Sequence, residues 1–289
     1  MFENIKPVTN EEYFLAAMSD GSITPPEPQT TEECYLAAMS GNYDGELPEP
    51  QTREQAFMKA VADKGGTVQN VEWADGMDSF TMYEDGWWRT TIRSLTLPAV
   101  AEIGNGSCGG MTALETLVIP KGVNKICCNA FAACPSLKNV TIPDTVTELG
   151  ATSEHGTGGA FSGCSSLEHI EIPGSITVLY GGTLSGCSSL RDVTLNEGLL
   201  EIQGGAFNGS KSIEDITLPA SIQSLTSGAF ASMAGLKTVR FKGTPQSISD
   251  IAFPVDQAIN IYAPWSEGEV ANAPWGAKNA TIHYNYTGE

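Results

Sequence analysis

One slot recurs along most of this chain at a fixed distance, and that distance decides what the chain can fold into. The slot is held by Cys108, Phe131, Phe161, Leu184, Phe207, Phe230 and Phe253, at intervals of 23, 30, 23, 23, 23 and 23 residues. The interval of 30 is one period with seven residues added. The surplus falls between Leu149 and Phe161, where GATSEHGTGGA has the glycines and polar residues of an exposed loop. A unit of 23 residues cannot bury its own apolar face, so each copy must be covered by its neighbours, and the chain is expected to stack into a repeat solenoid.

Within each unit the pattern Leu-x-x-Val-x-Ile-Pro alternates apolar and polar residues along a short strand, and the proline stops it. The inward strand positions are Leu95, Leu117, Val140, Ile170, Val193, Ile216, Val239 and Ile261, which gives about eight short parallel strands. A second apolar pair covers the return side of a turn: Val123 with Ile126, Val146 with Leu149, Ile176 with Leu179, and Ile222 with Leu225.

Two outward columns follow from the same register. The first, Arg93, Glu115, Lys138, Glu168, Arg191, Glu214 and Lys237, alternates in sign at every step. Adjacent rungs stand about 4.8 Å apart, so the column is expected on the strand as a self-neutralising charge ladder that sets register and solubility. The second column carries Thr96, Val118, Thr141, Glu171, Thr194, Thr217 and Arg240, a milder surface along which a ligand can lie, although threonine also suits any half-exposed strand. Cys134, Cys164 and Cys187 share one repeat position with Met111, Ser210 and Met233, so that position wants a small or soft buried side chain. A straight ladder of thiols does not converge on four points as zinc requires.

The stretch IPDTVTEL…GGAFSGCSSLEHIEIP resembles the BspA-like leucine-rich repeats of bacterial surface and bacteriophage-encoded proteins, over residues 92–262. The resemblance implies a rigid solenoid used for adhesion or protein recognition, with no shared catalytic residue.

A different repeat opens the chain. Thr9, Thr30 and Thr52 are each followed three residues later by Glu12, Glu33 or Gln55, the spacing of a helix capping box. Behind each cap stand equivalent apolar residues: Phe14, Leu15 and Met18; Tyr35, Leu36 and Met39; Phe57, Met58 and Val61. Three short helices over residues 1–64, joined by stiff proline-rich spacers, are therefore expected to need a covering partner or a second copy of the chain. These copies resemble the T-x-E-E-x-Y-L-A-A-M repeats of phage and prophage tail-fibre-like proteins, and the resemblance implies an attachment segment to a virion or tail component. Residues 65–91 and 263–289 are expected to close the two ends of the solenoid. Trp73, Phe80, Tyr83, Trp87 and Trp88 serve one end, and Trp265, Trp275 and Tyr284 the other. Trp87 and Trp88 also suit a contact site, since aromatic residues anchor interfaces.

The function classes narrow from composition. The 34 acidic against 15 basic residues leave a formal charge of -19, which repels nucleic acid and anionic lipid. The first twenty residues lack the pattern of a signal peptide and no window is long and apolar enough to span a membrane, which reads as a soluble, unprocessed chain. Seven cysteines, two of them adjacent, suit a reducing compartment. His155 lies beside Ser153 and Glu154, and His169 stands one rung from Asp192, but neither forms a triad, and no nucleotide, zinc-protease or cofactor motif occurs. The expectation is a non-enzymatic protein without cofactor or metal. In it the solenoid recognises a bacterial surface protein or glycan from a virion assembled in the host cytoplasm, or, in the rival reading, as a bacterial surface adhesin.

Overall fold

The computed structural model describes residues 34, 70–72, 79–80, 88–97, 99–151, 158–253 and 256–288. The capped helices expected over residues 1–64, with Phe14, Leu15, Met18, Tyr35, Leu36, Met39, Phe57, Met58 and Val61, lie outside that set, as do Trp87 and His155. Trp88 opens a one-turn helix, α1 (Trp88–Thr91).

The chain winds as a parallel solenoid. One face is built from β1 (Asn70–Glu72), β3 (Ser94–Thr96), β5 (Thr116–Val118), β7 (Asn139–Thr141), β9 (His169–Ile172) and β11 (Asp192–Leu195), hydrogen-bonded in that order. It continues in a separate ladder of β13 (Asp215–Leu218), β15 (Thr238–Phe241), β17 (Asn260–Tyr262) and β18 (Thr281–His283). The eight expected rungs are all present, flanked by β1 and β18, and at every step except that from β11 to β13 they pair in the expected register: Leu95 pairs with Leu117, Ile170 with Val193, and Val239 with Ile261. The return side forms two ladders of its own. The first holds β2 (Ser79–Phe80), β4 (Glu102–Ile103), β6 (Lys125–Cys127) and β8 (Glu148–Ala151). The second holds β10 (Val178–Leu179), β12 (Glu201–Ile202), β14 (Ser224–Leu225) and β16 (Ser247–Ile248), and the division between the two falls at the seven-residue insertion.

Why these residues make this core follows from the alternation. Each strand from β3 to β17 contributes one or two buried aliphatic residues, and the return-side residues Ile126, Leu149, Leu179 and Leu225 close the core from behind. Between the faces, the aromatic slot becomes a stack of rings. Phe131 lies on Phe161 at 5.4 Å between centroids, Phe207 on Phe230 at 5.7 Å, and Phe230 on Phe253 at 4.6 Å, all nearly parallel and all fully buried. Leu184 interrupts the stack between Phe161 and Phe207. At the C-terminal end Trp265 packs edge-on against Phe241 and Trp275, and Trp275 is fully buried.

The cysteine position has a sharper requirement than softness. Cys134 Sγ donates to the carbonyl of Cys108 at 3.2 Å, Cys164 Sγ to Phe131 at 3.2 Å, and Cys187 Sγ to Phe161 at 3.3 Å. Ser210 Oγ donates to Leu184 at 2.7 Å. In all four cases the acceptor is the residue in the aromatic slot one turn earlier, so the position supplies a hydrogen-bond donor to a carbonyl buried between turns. The hydrogen bond with Cys134 together with burial holds the Cys164 thiol well above the ordinary range, and burial pushes Cys187 up to about 12, while the same bond lowers Cys134. At two of the three cysteines the thiolate that a metal needs is disfavoured. Cys164→Ala is therefore expected to cost about 1–2 kcal/mol, because it leaves a buried carbonyl unsatisfied, and Cys164→Ser to retain most of the stability. Urea unfolding of the two variants beside the parent checks this, and equal losses in both would contradict the donor role.

A second series of cross-turn bonds fixes the corners after the strands. Thr145, Ser175 and Ser221 donate their hydroxyls to Val123, Val146 and Leu199 at 2.8, 2.6 and 2.8 Å. The Glu197 carboxylate accepts the Ala220 and Ser221 amides at 2.9 and 3.0 Å, and these bonds hold its carboxyl below the usual range.

Candidate recognition face

The inward side of every turn is occupied by packing, so the chemistry available to a partner lies on the outward side of the strands. The charge column stands one residue earlier than expected. Arg93, Glu115, Lys138, Glu168, Arg191, Glu214 and Lys237 each immediately precede a strand instead of lying on it. The cause is the hydrogen bonding at strand entry: the Arg93 carbonyl takes both the Glu115 and Thr116 amides of the next turn, at 2.7 and 3.0 Å. Each charged residue therefore sits at the corner where the chain enters its strand.

Nor do the charges form one unbroken ladder. Glu115 bridges Arg93 at 3.6 Å and Lys138 at 3.4 Å, Arg191 pairs with Glu168, and Lys237 pairs with Glu214 at 2.6 Å. Among the described residues neither Lys138–Glu168 nor Arg191–Glu214 is an ion pair. The first of these steps spans the seven-residue insertion. The second coincides with a break in the backbone: no ladder hydrogen bond joins β11 to β13, although the return-side ladder runs unbroken from β10 through β12 and β14 to β16 behind it.

That open rung forms a cleft of about 800 Å³. Its walls are Arg191 to Leu195 on one side and Ser212, Glu214, Asp215 and Thr217 on the other, with Glu168, Ser189 and Lys242 at the rim. Val193 is only partly buried, unlike Ile170 before it and Ile216 after it. Arg191 and Glu214 face away from each other because each is paired with the adjacent turn on its own side. Asp192 and His169 occupy the same register position on β11 and β9.

The second outward column is assembled by the register. Thr96, Val118 and Thr141 align on β3, β5 and β7, Glu171 aligns with Thr194, and Thr217 with Arg240. Thr141, Glu171 and Thr194 are exposed, whereas Thr96, Thr217 and Arg240 are half-buried. Asn196 donates to the Glu171 carboxylate at 2.8 Å. The column does not end at Arg240. It runs on through Tyr262 to His283, whose rings stack at 4.5 Å, with Tyr286 at 4.7 Å from Tyr262. The Arg240 guanidinium lies 5.4 Å from the Tyr262 ring centre and pairs with Asp215 at 3.2 Å. A second groove of about 540 Å³ runs between Arg240, Lys242, Pro264 and Tyr286, and it meets the first at Thr217 and Lys242. The signal for this aromatic end was present in the sequence: the strand register carried two rungs past Arg240 reaches Tyr262 and His283.

Chemically, the two grooves of this face offer carboxylates, the cations Arg191, Arg240 and Lys242, hydroxyls and free strand edges, arranged to bind by hydrogen bonds and charge. No group of three or more His, Cys, Asp or Glu among the described residues can hold a metal, and no described helix is long and apolar enough to cross a membrane.

A family model described as BspA type leucine rich repeat region matches six copies over residues 82–153 and 157–264. Among solved structures the chain is similar to a leucine rich cell surface protein of Faecalibacterium prausnitzii, at 20% identity and a TM-score of 0.48, covering 67% of this chain and 66% of that one. It is similar also to a leucine-rich repeat protein of T. pallidum, at 18% identity and a TM-score of 0.40, covering 68% of this chain and 73% of that one. A third, from Eubacterium ventriosum, is 18% identical with a TM-score of 0.42, covering 66% of this chain and 56% of that one. The chain thus spans about two thirds of the first of these proteins. No curated protein matches it.

Proposed function

Since this chain belongs to the BspA-type leucine-rich repeat family, we propose that it is a non-enzymatic recognition scaffold that presents its outward strand face to a protein or glycan of a bacterial surface. The observation that carries this reading is the pair of grooves that meet at Thr217 and Lys242 on that face. The remainder of each turn is committed to packing, so the ligand-facing chemistry is concentrated where the strand ladder opens and where the aromatic column ends. A rigid scaffold of this kind binds with little loss of its own conformational freedom, which favours affinity from a modest number of contacts.

The chain's own location has two readings. In the first, residues 1–64 attach it to a tail component, or to further copies of itself, and the solenoid faces the host; the repeated capping boxes and apolar positions support this. In the second it works at a bacterial cell surface, as an adhesin of the same repeat family. Immunogold labelling separates them by whether the chain is found on phage particles or on cells.

Recognition itself is tested by binding the fluorescently labelled full chain to a panel of intact bacteria. A long charged side chain at Thr194 or Thr217 (Thr194→Arg, Thr217→Arg) is expected to reduce binding at least tenfold, and Gln223→Arg on the return side to leave it unchanged. Equal binding by all three variants would remove the strand face as the recognition surface.

A further inference from the structure

The open rung leaves main-chain groups with no strand to receive them. In the closed rungs the bonding follows one rule: residues pointing inward direct their amides and carbonyls to the next turn, and residues pointing outward direct theirs to the previous one. Leu97 donates to Val118 of the following turn at 3.0 Å, and Lys242 donates to Leu218 of the preceding turn at 3.0 Å. By the same register the groups left over between β11 and β13 belong to Val193 and Leu195 on one edge and to Asp215 and Thr217 on the other. All four residues line the cleft.

We propose that the open rung between β11 and β13 is a docking slot for an extended polypeptide segment of a partner protein, which pairs main chain to main chain with these two free edges. The proposal rests on the reading of the strand face as the recognition surface and names what that face takes at this point. Three observations select a polypeptide over a sugar. First, the free groups are amides and carbonyls of alternate residues along two strands, the repeat that another strand matches along its whole length. Second, the partly buried Val193 gives small apolar side chains of such a segment a place to turn inward. Third, the charges are polarised along the strand direction. Asp192 and Asp215 stand where the strands begin and Lys242 stands at the far end. Asp215 is occupied by Arg240, and Asp192 and Lys242 have no ion pair among the described residues. The segment that fits is thus basic at the end that meets Asp192, acidic at the end that meets Lys242, and small and apolar at alternate positions between them. An inserted strand needs about twice the 4.8 Å spacing between its flanking neighbours. The unbroken ladder from β10 to β16 joins the turns behind the slot, so entry of the segment requires only the two strand-side edges to part.

The test uses the full chain and a displayed library of short random peptides, with the enriched sequences then synthesised and titrated. Peptides of the polarised, alternating kind are expected to be enriched, and Thr217→Pro to weaken their binding at least tenfold. That substitution removes an amide which no described strand takes up, so the melting temperature should hold, whereas Arg240→Pro, in a closed rung, should lower it. Asp192→Lys should weaken the same peptides and favour those with the charges exchanged. If Thr217→Pro fails to fold, Thr217→Trp, which fills the mouth of the slot, provides the same comparison. Hydrogen exchange gives an independent measure: the Asp215 and Thr217 amides should exchange quickly in the free protein and become protected by the peptide, while Thr238 and Arg240 are slow throughout. The slot is overturned if no peptide is enriched, if peptides bind parent and variant equally, or if Asp215 and Thr217 exchange as slowly as Thr238 and Arg240 in the free protein. Continued binding to bacteria in any of those cases leaves the recognition reading standing, and loss of it removes both.

Discussion

Phe230→Ala is expected to lower the free energy of unfolding by about 3–5 kcal/mol. The ring is fully buried and lies between Phe207 at 5.7 Å and Phe253 at 4.6 Å, so its removal leaves a cavity bounded by two rings that cannot both collapse into it. Two neighbouring turns lose contact at once. In a solenoid the stability is close to a sum of turn and interface terms, so the damage is concentrated at the interfaces on either side of the 230 turn. Urea unfolding followed by tryptophan fluorescence and by circular dichroism should show it twice: as a lower midpoint, and as a separation of the two signals, because the tryptophans of the C-terminal end would lose their support first. Leu184 occupies the same slot in its own turn, so Phe230→Leu is expected to lose much less, about 1 kcal/mol. A loss under about 1 kcal/mol in the alanine variant would mean that the ring stack contributes shape but little energy.

The second large effect concerns backbone approach. Gly159→Ala is expected to cost about 3 kcal/mol, at the upper end of overpacking effects. A β-carbon there would fall inside the carbonyl group of Gly182 and against the Thr183 amide, all main-chain atoms of the following turn. Nothing at that point can rotate away, and relief requires the two turns to separate. Gly122 gives the contrast: it is held at a φ of 109° with nothing within 4 Å of a new β-carbon, so Gly122→Ala pays only the local conformational penalty, about 1–2 kcal/mol. Thermal unfolding of the two variants distinguishes close approach from backbone conformation. A smaller loss in Gly159→Ala than in Gly122→Ala would show that the turns yield easily at this level.

The repeat made the fold legible to the residue. The slot carrying Phe131, Phe161 and Phe207 fixed the period, and the Leu-x-x-Val-x-Ile pattern fixed which residues face inward and which pair across turns. What stayed hidden depends on the relation between two turns and not on the pattern within one. Residues 190–195 read LRDVTL and residues 213–218 read IEDITL, two ordinary strands by composition, yet the ladder between them is open. The alternating signs of Arg191 and Glu214 imply a cross-turn pair, but each side chain has a partner on its own side. The cysteine position was legible in part: its small volume could be read, whereas its role as donor shows only once Ser210 and the three thiols are seen on equivalent carbonyls. His283 falls within residues 263–289, the segment expected to close the solenoid, because the proline-stopped pattern ends at the Tyr262 rung, although both residues keep the register.

The open rung also determines how this molecule would respond to tension. A solenoid drawn out along its axis yields first where the fewest bonds cross from one turn to the next, since each interface carries the load in series. Between β11 and β13 the strand-side bonds are absent and only the return side and the corners hold. Force applied through the two ends would therefore separate the turns up to β12 from those that begin at Phe207, leaving the Phe131–Phe161 pair on one side and the Phe207, Phe230 and Phe253 stack on the other. The same place would act as a fuse, letting the chain lengthen under shear without surrendering either half.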